Sequence, residues 1–175
     1  MIPELQRVLQ PSYLASLVDI PTDKLRAMRA ECAELENGAS YVRRLAQGRL
    51  DLMTEEIKRR ADGGGGDLGD LVDRLPELLS DGLRGPGSGR ADQELDPPEH
   101  VVEPLTIELD SVVGPSVVVV VAELGDDELS AAVIALRHFE DDLSTSRRSL
   151  HASIDSLNNE LTRRIAAGEA PPASA

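Results

Sequence analysis

ENGASYVRRLAQGRLD, residues 36–51, is answered 104 positions later by EDDLSTSRRSLHASID, residues 140–155. Glu36, Ser40, Arg43, Gln47 and Asp51 in the first stretch correspond to Glu140, Ser144, Arg147, His151 and Asp155 in the second. On an α-helix, side chains at these offsets fall within an arc of about 80° and along about 22 Å, so each set forms one polar stripe. Leu35, Ala39, Val42 and Ala46 each stand one residue before a stripe member, which puts an apolar seam beside it. One such stripe is ordinarily a solvated face of i,i+4 ion pairs. A second copy points instead to duplication of a functional unit.

Working outward, the apolar residues Leu25, Met28, Cys32, Leu35, Ala39, Val42, Ala46, Met53 and Ile57 keep the three-and-four spacing of a coiled-coil seam. This predicts a first long helix over 21–61, with Thr22 as N-cap and Asp23 in the first turn. Leucine recurs at 129, 136, 143, 150 and 157, with Val133, Phe139 and Ile154 widening the face, and predicts a second long helix over 125–167 capped by Asp126. The repeat extends over both helices: Asp23, Leu25 and Ala27 match Asp127, Leu129 and Ala131, Arg44 matches Arg148, and Glu56 and Arg60 match Glu160 and Arg164. The expected fold is mainly α, with the two long helices pairing within one chain. The spacing alone permits either parallel or antiparallel pairing.

Residues 1–20 form a short N-terminal segment. Four glycines, Gly63 to Gly66, open a Gly/Pro-rich flexible linker over 62–100 that holds a short amphipathic docking helix over 67–84. Residues 101–124 are an apolar, β-prone connection: TIELD alternates, VVVVVA is β-branched, and a short strand pair is expected there. GEAPPASA closes the chain as a disordered tail over 168–175.

Eighteen Lys and Arg against thirty-two Asp and Glu give a net charge of −14, which repels nucleic acid. Two Tyr, one Phe and no Trp leave few rings for stacking exposed bases. A single Cys forms no internal disulfide, and with three scattered His it builds no zinc site. Cys32, in the seam, reads as a small buried hydrophobe. The glycine runs lack the Lys-Ser/Thr of a phosphate loop, and no nucleophile elbow or HExxH pattern is present, so the chain is not read as an enzyme. Glu4 stands in a start without a cationic and apolar leader, and the run from Val112 to Ala122 is too short to cross a bilayer. A cytoplasmic protein with no membrane or direct nucleic-acid partner is expected.

Two related stripes beside one seam suit a ligand with two-fold symmetry. Arg contacts the O6/N7 edge of guanine or clamps a phosphate, and a carboxylate accepts from guanine N1–H and N2–H. Ser and Gln fix orientation, and Arg44 and Arg148 are auxiliary phosphate contacts on an otherwise acidic chain. The doubled pattern Glu-x-x-x-Ser-x-x-Arg-x-x-x-Gln-x-x-x-Asp closely resembles the signature of the RsiG family of cyclic di-GMP-dependent anti-sigma factors. That resemblance covers about forty residues of each long helix. It implies an antiparallel coiled coil that binds a pair of cyclic di-GMP molecules through the ten stripe residues and, once loaded, sequesters a WhiG-like sporulation sigma factor. The first motif matches at all five positions and the second at four, with His151 in the Gln place. An imidazole offers fewer hydrogen bonds than an amide, so the second half-site is expected to differ in geometry or pH response. The contrasting reading is a ligand-independent coiled-coil adaptor whose stripes form only interhelical ion pairs.

Overall fold

The computed structural model describes residues 2–63 and 97–170. Two long helices dominate it, α2 over Thr22–Ala61 and α5 over Asp126–Ala166. Before α2 lie α1, Pro3–Val8, and short 3-10 turns at Pro11–Leu14 and Leu17–Asp19. Before α5 lie α3, Glu99–Val112, α4, Pro115–Val119, and a 3-10 turn at Val121–Glu123.

The long helices are antiparallel: Thr22 meets Arg164, Arg29 meets Asn158, and Arg60 meets Asp126. This reversed register is centred on Tyr41 in α2 and Thr145 in α5, which are themselves 104 positions apart. A pseudo-two-fold axis therefore passes through the repeated motif. The heptad leucines, Leu129, Leu136, Leu143, Leu150 and Leu157, are all buried against Leu25, Met28, Cys32, Leu35, Ala39, Val42, Ala46 and Met53. Burial pushes the Cys32 thiol above its ordinary value, as suits a seam residue. Ile57 departs from the expected seam: it is 37% exposed near the helix end, and its neighbour Glu56 is the buried residue.

The other corrections cluster at helix ends and in the connection. Thr22 and Asp126 are not N-caps; Pro21 and Gly125 hold those positions. Their side chains accept instead from arginines of the opposite helix, Thr22 from Arg164 at 3.0 Å and Asp126 from Arg60 at 2.6 Å. The Gly125 N–H is capped by Glu128 at 3.0 Å.

Residues 101–124 contain no strand. Val101, Leu105 and Leu109 recur every fourth residue and bury one face of α3, and that packing overrides the β preference of the valines. The same self-comparison, carried further upstream, also predicts this: Pro11-Ser12 matches Pro115-Ser116, so the valine run corresponds to the turn-rich approach to α2. Glu99 and His100, assigned to the linker, form the first turn of α3. The docking helix expected over 67–84 lies outside the described residues. The linker begins where Gly63 adopts φ +89°, a left-handed conformation that favours glycine.

α3 runs along α2 on the side away from the motif stripe. Arg49 ties its end by donating to Asp110 at 2.6 Å and to the Val113 carbonyl at 2.5 Å. Val101 rests directly on Gly38, where a Cβ would sit 2.8 Å from the Val101 Cβ. In an open helix interior Gly→Ala stabilises by about 0.5–1 kcal/mol. Here overpacking reverses the sign, and Gly38→Ala is expected to destabilise by about 1–3 kcal/mol. Thermal unfolding followed by circular dichroism reads this directly: a lower Tm agrees with the packing, and a higher one contradicts it.

Candidate functional site

The antiparallel register brings eight of the ten stripe residues into two reciprocal clusters. In one, Glu36 Oε1 accepts from Ser40 Oγ at 2.7 Å and from Arg147 Nε and Nη2 at 3.0 and 2.8 Å, with His151 Nε2 at 3.2 Å. In the other, Glu140 Oε1 accepts from Ser144 Oγ at 2.9 Å, Arg43 Nη1 at 2.9 Å and Gln47 Nε2 at 3.2 Å. Each cluster thus takes Glu and Ser from one copy of the motif and Arg and Gln or His from the other. The two stripes that the sequence places beside one seam are thus grouped across the helices. His151 consequently belongs with Glu36, from the copy that matches the pattern at every position.

The pairs are partly withdrawn from water. The side chains of Arg43 and Glu140 are 21% and 17% exposed, and those of Arg147 and Glu36 are 26% and 18% exposed. Burial pushes the Glu36 carboxyl up, but hydrogen bonds from Ser40 and Arg147 and the charge of Arg147 outweigh it, leaving the carboxyl below its ordinary value. The clusters differ in detail, because Arg147 donates through both Nε and Nη2 whereas the Arg43 Nε is buried with no acceptor among the described residues.

Asp51 and Asp155 stand one helical turn beyond Gln47 and His151, exposed and without an ion pair or hydrogen bond among the described residues. Burial nonetheless raises the Asp51 carboxyl, with Lys58 opposing the effect. Arg44 and Arg148 donate from Nε to the carbonyls of Ser40 and Ser144, both at 3.3 Å. Arg148 also donates to Thr145 Oγ1 at 3.0 Å. Neither arginine has a carboxylate partner among the described residues. The site therefore has a core of internally matched charges and a rim of two carboxylates and two guanidinium groups that form no ion pair among the described residues. Among the described residues no group of His, Cys, Asp and Glu is arranged to hold a metal ion, and no helix is long and apolar enough to cross a membrane.

Two further clusters hold the register, and sequence reasoning assigned them no role. Glu56 is fully buried and accepts from Arg59 at 2.7 and 2.8 Å and from Arg60 at 2.7 Å. Arg60 continues to Asp126 and to the carbonyls of Val121 and Ala122. At the opposite end Glu160 accepts from Arg163 and Arg164, and Arg164 continues to Thr22 and to the carbonyls of Leu17 and Val18. Every member has its counterpart 104 positions away, including Arg59 with Arg163 and Leu17-Val18 with Val121-Ala122. The identities at 56, 59 and 60 were the signal available in the sequence.

These clamps set an acid limit on the fold. Hydrogen bonds from Arg59, opposed by burial and reinforced by Arg60, lower the Glu56 carboxyl from 4.5 to about 2. Hydrogen bonds from Arg163 and Arg164 bring Glu160 to about 2 as well. A depressed carboxyl contributes stability that is present above its unfolded value and is lost as pH falls through the folded one. Stability is therefore expected to decline from about pH 5 toward about pH 2. Glu56→Gln and Glu160→Gln should each lower Tm near neutrality and flatten that decline, and a Tm profile with the wild-type slope in both variants would refute the assignment.

Comparison with known proteins adds one match. A family model described as RsiG-like matches residues 11–79 and 119–175, spanning both long helices and their approaches. No curated protein matches the chain. The chain belongs to the RsiG-like family, and membership implies an anti-sigma role rather than an enzymatic one.

Proposed function

We propose that this chain is an anti-sigma factor that binds two molecules of cyclic di-GMP across its motif face and, when loaded, sequesters a WhiG-like sporulation sigma factor in the cytoplasm. The observation that carries the reading is the two-fold arrangement of matched core and unmatched rim around the Tyr41–Thr145 axis. A coiled-coil adaptor accounts for the Glu36–Arg147 and Glu140–Arg43 pairs. It gives no reason for Asp51, Asp155, Arg44 and Arg148 to repeat in both copies without an oppositely charged partner in an ion pair among the described residues. A ligand that carries both hydrogen-bond donors and phosphates supplies partners for both kinds of group.

In this reading each half-site is composite. One is built from Glu36, Ser40, Arg147, His151 and Asp155, the other from Glu140, Ser144, Arg43, Gln47 and Asp51. The Glu and Asp carboxylates accept from guanine N1–H and N2–H, and Arg43 and Arg147 turn from their carboxylates to the O6/N7 edge or to phosphate. Arg44 and Arg148 neutralise phosphates on a chain whose net charge would otherwise repel the ligand. Ser40, Ser144, Gln47 and His151 hold the carboxylates in place. The loaded face, with ligand filling the groove, then forms part of the surface that the sigma factor contacts. No metal takes part in this recognition.

Calorimetric titration with cyclic di-GMP, with cyclic di-AMP as control, tests the reading. Saturation near two ligands per chain is expected for the guanine nucleotide alone. Arg43→Ala and Arg147→Ala should each weaken binding about ten- to a hundredfold, the value of a charge-assisted contact of about 1.5–3 kcal/mol. Unchanged affinity in either variant would displace the site from this face. Retention of the sigma factor should depend on the nucleotide, and equal retention with and without it would remove the ligand from the mechanism.

A further inference from the structure

We infer that His151 makes the two half-sites unequal, giving the one built around Glu36 a stronger preference for anionic ligand as pH falls, while the one built around Glu140 keeps a constant preference. The inference rests on the proposed binding of cyclic di-GMP to this face. It starts from a like-for-like comparison: His151 Nε2 stands 3.2 Å from Glu36 Oε1, and Gln47 Nε2 stands 3.2 Å from Glu140 Oε1. The imidazole thus stands in the amide's place at the same distance, although only the Gln47 amide makes a hydrogen bond there. The imidazole differs in a further property, which is that histidine alone changes charge within the physiological range.

The surroundings make that property consequential. The His151 side chain is 56% exposed, so solvent protons reach it without unfolding of the helix pair. From α2 it faces the Glu36 carboxylate, and on α5 the charged groups within one helical turn are Arg147, Arg148 and Asp155. Glu36 already accepts from Arg147, so a protonated His151 gives the cluster a net positive charge before the rim residues are counted. In the opposite cluster the corresponding place is held by the Gln47 amide, which carries no ionisable proton.

When Arg147 turns from Glu36 to the ligand, the Glu36 carboxylate left facing His151 and the negative charge that the ligand brings to this face both favour the protonated imidazole. Ligand binding at that half-site therefore takes up protons, and by linkage its affinity is greatest at low pH and falls as pH rises. The ligand's own phosphodiesters and guanines keep a constant charge through this range, so the protein supplies the pH dependence. The departure of the second motif from the Gln pattern thereby becomes a graded response in half of the site.

The test is titration of the full chain with cyclic di-GMP at about pH 6, 7 and 8, in paired buffers of different ionisation enthalpy, for wild type, His151→Gln and Gln47→His. Wild type is expected to strengthen one binding step by about three- to tenfold between about pH 8 and pH 6, with proton uptake. His151→Gln should bring that slope to within about twofold of flat, and Gln47→His should impart it to the other step. Equal slopes in wild type and His151→Gln, or a flat profile in Gln47→His, overturn the inference while leaving the binding reading standing. Absence of binding at every pH in all three proteins overturns the binding reading and this inference with it.

Discussion

The reversed register of α2 and α5 is the constraint on which the rest depends. It places each motif glutamate against the arginine of the other copy, and it does so twice because the register midpoint and the repeat share one axis. The apolar seam supplies most of the association, through burial worth about 25 cal/mol per Å² of apolar surface. That force is non-directional and tolerates small slips along the helices. The ion pairs are directional, and their partial burial makes a mismatched register costly because it leaves charges without partners.

The same logic operates at the two ends. Arg60 and Arg164 each tie one helix's last turns to the other helix's first turn and to the carbonyls of the shoulder before it. Fixed at both ends and at the centre, the pair becomes a rigid platform about 60 Å long, which suits a site that must hold groups from two helices in a set geometry. α3 stiffens the other side through the Val101–Gly38 contact and does not lie on the motif face. Apolar seam, end clamps, covered back and a front left open among the described residues are therefore successive consequences of one alignment.

Much of this was legible in the sequence, for identifiable reasons. The two long helices end within a residue or two of the expected limits because heptad periodicity over forty residues is a strong signal. The stripe residues were identifiable because both copies repeat polar as well as apolar positions. The grouping of those residues was not legible: spacing says which side chains share a helix face, but only the register says which face one another. Hence His151 was expected to alter a second-motif site and instead adjoins Glu36. The valine run misled because β propensity is a local preference, whereas here Val117, Val118 and Val121 pack on the core and leave Val119 and Val120 exposed. Glu56 illustrates the limit of patterning, since burying a carboxylate in place of Ile57 makes sense only once Arg59 and Arg60 enclose it.

The account stands most directly on the cross-helix pairing, and a double-mutant cycle on stability measures it without any ligand. Glu36→Gln and Arg147→Ala, made singly and together, should show a coupling of about 0.5–3 kcal/mol in denaturant unfolding. Glu36→Gln with Arg43→Ala, residues on the same helix assigned to opposite clusters, should be additive within about 0.5 kcal/mol. Coupling in the second cycle and none in the first would mean that each motif acts along its own helix, and would contradict the composite site at its foundation.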